Sequence, residues 1–119
     1  MTDSIRSTII RLMDARRAIP TPDGGHSVSL LRRRTLTLKL SQPVPPNKQT
    51  PHEKDEVYII VRGNGVLYHD GKRDRFTAGD AMFVGAGVEH WFEDFTDDLS
   101  VWVVFYGPVG GEVPTKASE

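Results

Sequence analysis

A regular rhythm of short apolar runs, starting near Ser27, constrains this chain more than any other feature. The runs are rich in β-branched, leucine and aromatic residues, and Gly, Pro, Asn and Asp separate them about every ten residues. About eight short strands without helical crossovers must pack as a sandwich or close into a small barrel, and a jelly roll does both. The expected fold class is therefore all-β, a small jelly-roll β-barrel.

Two stretches predict local detail. Leu36, Leu38 and Leu40 alternate with polar residues, which indicates a strand with one buried face. The run 57–61 is apolar at every position, which indicates a strand covered on both sides. The Asn-Gly pair after Gly63 then predicts a tight hairpin into the next strand.

The N-terminus differs in texture from the rest of the chain. Ile5, Ile9, Leu12 and Met13 recur at helical spacing, and the prolines from Pro20 onward end the pattern. A short amphipathic α-helix is therefore expected to pack on the outside of the barrel. With 119 residues the chain has room for a single core. The expected organisation is a helix and linker over 1–22, the barrel over 23–111 and a flexible tail over 112–119.

Composition excludes several classes of protein. No cysteine is present, so disulfides, thiolate zinc clusters and cysteine nucleophiles are ruled out. The net charge is −1, and the arginines at 32–34 lack interleaved aromatics, so we expect no nucleic-acid partner. The apolar runs are too short to span a bilayer, and the start of the chain does not resemble a secretory signal. The expected location is the cytoplasm, with no membrane partner.

Glu56 is the candidate functional residue that the strand pattern itself points out. It shares the alternation of Tyr58 and Ile60, so it is expected to face the interior. A buried carboxylate needs a metal ion, an arginine or its own protonation to offset its desolvation. A metal would also engage His52, four residues earlier; an arginine from 32–34 or Arg62 would instead form an ion pair.

The segment 50–63 holds His52, Glu56 and Gly63, and the segment 79–94 holds Gly79, Gly87 and His90. In residue types and spacing these segments resemble the two motifs of the cupin superfamily, specifically the small single-domain cupins. The first cupin motif has His-x-His, then Glu and a closing Gly, and the segment 50–56 followed by Gly63 fits it except for Thr50 in the first histidine position. The second motif has Gly, Pro-x-Gly and His, and the segment 79–90 fits it with Gly85 in the proline position. Asp94 stands where the motif has Asn. The resemblance implies a cupin β-barrel.

The resemblance also implies a metal site. Its ligands would be His52, Glu56 and His90, holding a divalent transition metal such as Fe, Mn, Zn or Ni. Water, a substrate or, less readily, the Gln49 amide would fill the direction that Thr50 leaves open. As an alternative, His90 is a core histidine bonded to backbone. The residues expected to line the pocket, beside the ligands, are Thr50, Tyr58, Ile60 and Phe92.

Three functions follow from this reading. The first is a metal-dependent enzyme, an oxygenase, isomerase or lyase, acting on a small organic molecule; the second is a non-catalytic module that binds a metal or small ligand; the third is a barrel that has lost its metal. Strand parity places Trp91 and Phe95 on the outer face of the sheet, where the N-terminal helix or a second subunit must cover them. We therefore expect a homodimer.

Overall fold

The computed structural model describes residues 5–113, in which one short helix and eight strands occur. The elements are α1 (Leu12–Arg17), β1 (Ser27–Arg33), β2 (Leu36–Ser41), β3 (Asp55–Arg62), β4 (Asn64–His69), β5 (Lys72–Thr77), β6 (Ala81–Val84), β7 (His90–Glu93) and β8 (Ser100–Tyr106). The all-β fold class with a short helix near the N-terminus is confirmed.

The strands form two antiparallel sheets that face each other. The larger sheet has the order β1-β2-β8-β3-β6, and the smaller has the order β5-β4-β7. The inward side chains of β3 and β8 pack against those of β4, β5 and β7 in one apolar core. Its buried members are Tyr58, Ile60, Leu67, Phe76, Val84, Phe92, Leu99, Val101 and Val103.

The predicted hairpin at Asn64 is wrong. β3 and β4 belong to different sheets, and Gly63, with φ of 88°, is the single residue between them. A Cβ at Gly63 would lie 2.9 Å from the Leu99 backbone, so glycine is needed here for both backbone conformation and space. The tight hairpin lies instead at Asp70 and Gly71, which join the paired strands β4 and β5 and both have positive φ.

Strand β3 is fully covered on its inner face only, so the prediction of cover on both faces is wrong. Ile59 on the outer face is 42% exposed. What cover exists comes from the N-terminal segment, whose residues 5–8 and Ile10 line a groove together with Ile59 and Trp102. The Arg33 guanidinium donates a hydrogen bond to the Ile5 carbonyl and so ties this segment to the sheet.

The helix is shorter than the predicted stripe. It begins at Leu12, and residues 5–11 have no helical structure. Thr8, Ile9 and Ile10 are β-branched, which disfavours helix, and an extended strap reaches further along the sheet than a helix of the same residues. Ile5 and Ile9 are exposed. Thr2, Asp3 or Ser4 would cap a helix that began near Ile5, and these residues lie outside the described part of the chain.

Trp91 and Phe95 are partly covered by residues of the barrel itself, which strand parity does not predict, and further cover by a second subunit stays a prediction. Trp91 stacks on Tyr68, with ring centroids 4.1 Å apart. The Arg73 guanidinium lies over the Tyr68 ring, 4.9 Å from its centroid. Phe95 packs against the core, because Asp94 takes a left-handed conformation that breaks strand parity after β7. The homodimer therefore stays a prediction without the support of these two rings.

The predicted tail is fastened to the barrel where it begins. The Glu112 amide donates to the Asp55 carboxylate at 2.8 Å, so the start of the predicted tail is anchored. Residues 114–119 of that tail lie outside the described residues. The six-residue α1 is far below the length of about 20 residues that a bilayer-spanning helix needs, and residues 5–113 hold no longer helix.

A glycine comparison tests the crossing between the sheets. Gly63→Ala is expected to lower the free energy of unfolding by about 2 to 4 kcal/mol, because it adds a clash with Leu99 to the cost of a left-handed alanine. Gly71→Ala, at φ of 79° in open space, should cost only about 1 to 2 kcal/mol. Urea denaturation measures both. Equal losses would show that the Leu99 contact does not matter.

Candidate metal centre

Two imidazoles and one carboxylate meet between the sheets, at the end where β3 begins. Glu56 lies on β3, His52 lies in the loop before it, and His90 is the first residue of β7 in the other sheet. His90 Nε2 is 3.1 Å from Glu56 Oε1, and His52 Nε2 is 3.8 Å from the same oxygen. One ligand atom from each of the three residues falls within 4.8 Å of the others. The structure thus brings together residues that are 38 positions apart in sequence, from His52 to His90.

Backbone bonds explain why two distant loops converge here. The Gly87 amide donates to the His52 carbonyl at 2.8 Å, and the Ala86 amide donates to Asp55 Oδ1 at 3.0 Å. Asp55 is 5% exposed, and its second oxygen accepts the Glu112 amide, so both carboxylate oxygens are used. The turn 85–87 is therefore fastened to the start of β3, and His90 follows it directly.

The hydrogen bonds of His90 define its tautomer. Its Nδ1 lies 2.9 Å from the Val88 carbonyl, which can only accept, so Nδ1 carries the proton. In the neutral ring Nε2 then presents a lone pair toward Glu56 Oε1. That oxygen is buried and, within the described residues, has no hydrogen-bond partner of acceptable geometry in spite of the 3.1 Å approach. The Tyr58 hydroxyl, 3.1 Å from Nε2, can donate to that lone pair, whereas Glu56 Oε1 is left without a donor and needs a cation or a proton.

Hydrogen bonds of Asn47 hold the side-chain amide oxygen of Gln49 beside the three residues. Asn47 Oδ1 accepts the Phe92 amide at 2.9 Å and the Gln49 side-chain amide at 2.8 Å. The Gln49 nitrogen is thereby turned away from the centre, and its Oε1 lies 3.3 Å from His52 Nε2 and 3.4 Å from the Tyr58 hydroxyl. The Tyr58 hydroxyl is also 3.1 Å from His90 Nε2. Gln49 Oε1 is thus a further oxygen that faces His52 and Tyr58 at the centre.

The environment changes three pKa values. Burial lowers the pKa of His52; Glu56 opposes this, while His90 and Lys39 reinforce it. Burial also acts to lower the pKa of His90, but the contact with Glu56 and the Val88 carbonyl together raise it above its ordinary value. Burial and the neighbouring Glu56 carboxylate raise the pKa of Tyr58, which is therefore a neutral phenol. The buried Glu56 thus favours the protonated form of all three neighbours, His52, His90 and Tyr58.

A cavity of about 200 Å³ opens beside His52 and Glu56, which line it. Tyr58 and Phe92, both expected to line it, do so. Thr50 and Ile60, also expected there, do not: Thr50 is exposed in the loop, and Ile60 is buried deeper in the core. The sequence reading did not anticipate part of the wall. These further lining residues are Ser27, Lys39, Ser41, Asn47, Val103 and Phe105.

Comparison with known proteins identifies the family. Residues 41–106, more than half of the chain, match the family model described as the cupin domain. An uncharacterized protein of Streptomyces coelicolor is 31% identical over 98 residues, which cover 81% of this chain and 93% of that relative. The chain therefore belongs to the cupin family, and the resemblance drawn from its two motifs is confirmed.

Solved structures agree with this fold. The cupin domain of Schizosaccharomyces pombe Cnp3 has a TM-score of 0.62 at 10% identity, over 69% of this chain and 64% of that one. The Fe(II) form of HppE in complex with substrate has a TM-score of 0.57 at 17% identity, over 67% of this chain and 53% of that one. The chain thus spans less than two thirds of either structure. At these identities the likeness concerns the barrel alone.

Imidazole titration tests the electrostatics of the centre without a metal. In protein treated with a chelator, His90 is expected to lose its proton at a higher pH than His52, because Glu56 raises the pKa of His90 while burial lowers that of His52. Glu56→Gln removes an influence that raises both values, so both should fall. Nitrogen-15 NMR of the rings measures the two midpoints, with exposed His26 as reference. A His52 midpoint above that of His90 would contradict the assignment.

Proposed function

We propose that this barrel binds one divalent transition metal through His52, Glu56 and His90 and uses it to act on a small organic molecule. One observation carries the proposal: a buried carboxylate oxygen has no hydrogen-bond donor, and two imidazole nitrogens lie 3.1 and 3.8 Å from it. A cation at their meeting point would satisfy all three atoms at once. An arginine could do so too, but the described ion-pair partners of Glu56 are the two histidines.

The donor set fits such a metal. Imidazole suits Fe, Zn and Ni, carboxylate suits Mn, and two histidines with one carboxylate on one face leave open positions. The Val88 carbonyl holds the His90 ring in the tautomer that metal-ligating histidines need. HppE, which shares this barrel fold and was solved with Fe(II) and substrate, supports a metal in a cupin barrel.

Gln49 supplies a fourth oxygen in this proposal. The chain has Thr50 in the first histidine position, but Thr50 is exposed and a hydroxyl is a poor ligand for these metals. Gln49 Oε1 lies 3.3 Å from His52 Nε2, and Asn47 fixes its direction. The neighbouring amide therefore takes the place of the missing imidazole.

When bound, the metal would supply Lewis acidity or oxygen activation. The chain's own residues do the rest. Tyr58 stays protonated, so its hydroxyl can donate a hydrogen bond to an oxygen of a bound molecule but cannot act as a base at neutral pH. Phe92, Val103 and Phe105 exclude water from one side of the cavity.

Metal binding is the direct test. Protein purified without a histidine tag and supplied with Zn²⁺, Fe²⁺ or Mn²⁺ is expected to hold close to one equivalent of at least one of them. Glu56→Gln and His90→Gln should each weaken binding more than about 100-fold, since even supporting residues around metal ligands contribute 10- to 100-fold. Elemental analysis and competition with a chromogenic chelator measure both.

His69→Gln is the matched control, because His69 pairs with Asp74 on the surface and lies outside the centre. It should bind metal as the unaltered protein does. Circular dichroism checks that each variant is folded. Failure of the folded, unaltered protein to hold any of the three metals would favour the barrel without metal.

Adjacent residues allow a sharp test of the fourth donor. Gln49→Ala is expected to weaken metal binding about tenfold, whereas Thr50→Ala should leave it unchanged. The same chelator competition measures both. The opposite ranking would return the fourth position to Thr50.

The second candidate is a non-catalytic module that binds a metal or small ligand. Among the described cavity residues, Lys39 is the one ionisable side chain beside the proposed ligands and Tyr58, so catalysis without the metal has little support. Oxygen uptake and product formation by metal-loaded protein, screened with small thiols, phenols and diketones, separate the candidates. Silence across the screen with metal bound would favour the binding module. Location in the cytoplasm and a homodimer stay predictions.

A further inference from the structure

The inner face of β1 and β2 is polar, although β2 carries three leucines. Lys39 pairs with Val103 across β2 and β8, and Val103 faces the core, so Lys39 points inward as well. Leu38 pairs with Val104 and lines the outer groove beside the N-terminal segment. The apolar face of β2 therefore lies on the outside of the barrel, and its polar face lines the cavity.

Lys39 lines the same cavity as His52 and Glu56 of the candidate metal centre. Lys39, Val103 and Tyr58 are paired side by side on the adjacent strands β2, β8 and β3. Two inter-strand spacings therefore separate the Cα atoms of Lys39 and Tyr58, a distance of about 10 Å. The flexible lysine stem can bring its ammonium well within that span. Within residues 5–113, the Lys39 ammonium has no hydrogen-bond or ion-pair partner, even though the residue is only partly exposed.

The sequence near Lys39 adds no acidic residue, and the one carboxylate that lines the cavity with it is that of Glu56, a proposed metal ligand. The segment from Gly24 to His52, which supplies β1, β2 and the loop to the centre, contains five Lys and Arg and no Asp or Glu. The hydroxyls of Ser27 and Ser41 line the same cavity, and these two residues pair across β1 and β2. This wall offers one cation and two hydroxyl groups to a ligand.

We propose that the cavity takes a small molecule with a carboxylate group, which Lys39, Ser27 and Ser41 bind while the rest of the molecule reaches the centre of His52, Glu56 and His90. This assignment rests on the proposed function, because it names the substrate class of the same site. A cavity of about 200 Å³ holds roughly six or seven waters at about 30 Å³ each, so the ligand is small.

The chemistry of the wall favours a carboxylate over a phosphate. One ammonium balances one negative charge, and hydroxyl donors complete a carboxylate's hydrogen bonds. A phosphate carries more charge and is usually held by several cations or by a helix N-terminus. Apolar contacts with Phe92 and Phe105 suit a short carbon skeleton between the two ends.

Matched ligands test the charge. Zinc-loaded protein would be titrated with propionate, 4-oxopentanoate and benzoate, and with the methyl ester of each, while amide NMR follows the shifts at Ser41 and Lys39. At least one carboxylate is expected to bind about tenfold more tightly than its ester, the contribution of one charge-assisted hydrogen bond. No such preference for any pair, or tighter binding of inorganic phosphate, would overturn the proposal.

Matched variants test the residue. Lys39→Gln should abolish the preference for the carboxylate, and Lys39→Arg should restore part of it. Lys48→Gln makes the same charge change on an exposed residue of the same segment and should keep it. Equal losses in the two glutamine variants would overturn the assignment to Lys39.

The zinc content, measured for every variant, separates this inference from the proposed function. If Lys39→Gln keeps its zinc content but loses the preference for carboxylate over ester, both the proposed function and the carboxylate assignment are supported. If the unaltered protein binds zinc but prefers no carboxylate over its ester, the carboxylate assignment is overturned and the proposed function is not. If the protein binds no zinc the proposed function fails for that metal, and the same pairs titrated against metal-free protein decide whether Lys39 binds carboxylates.

Discussion

A carboxylate buried between two β-sheets is the constraint on which the rest of this site depends. Glu56 is 1% exposed, and removing an unpaired carboxylate from water costs several kcal/mol, so the fold must bring positive charge to it. The fold does so from two directions, with His52 from the preceding loop and His90 from the opposite sheet. Asp55 makes this convergence possible, because its two oxygens tie the turn before β7 and the end of the barrel to the start of β3.

The N-terminal segment has a role in the site although it lies on the opposite face of the sheet. The leucines of β2 need apolar cover, and the strap formed by residues 5–10 provides part of it on the outside. Because the outer face takes the leucines, the inner face of the same strand is free to carry Lys39. Leucines pointing inward would fill the cavity. The polar cavity wall therefore depends on the N-terminal segment, which covers the outward-facing leucines.

The sequence predicts those features that depend on local periodicity, and fails where a choice depends on the other sheet. Alternation correctly indicates the strands and points Glu56 inward, and the two motifs point to His52 and His90, which the structure brings together. Periodicity cannot say which face of β2 is the inner one, so Lys39 went unnoticed as a cavity residue. A lysine alternating with leucines in a strand reads as a solvent-facing residue.

The turn residues show the same limit. Asn64-Gly65 and Asp70-Gly71 are equally good hairpin sequences, yet only the second joins paired strands. At the first, Gly63 lets the chain leave one sheet for the other, which a local rule for hairpins does not consider. The parity argument for Phe95 failed for a related reason, because Asp94 leaves the extended region and turns the next side chain inward.

Exchange of an imidazole for an amide changes the character of the centre. In the full cupin motif the position of Thr50 contributes a third nitrogen, whereas here the nearest additional donor is the oxygen of Gln49. The proposed ligand set would then have two nitrogens and two oxygens. It would be harder than a set of three nitrogens and one oxygen and would favour metals that accept oxygen ligands. Asn47 favours this exchange because its hydrogen bond already fixes the direction of the Gln49 side chain. Without that bond, metal binding would have to order a free glutamine side chain, at a cost in conformational entropy. The loop 47–52 therefore acts as one unit, in which a backbone amide of β7 orients one side chain and that side chain orients the next.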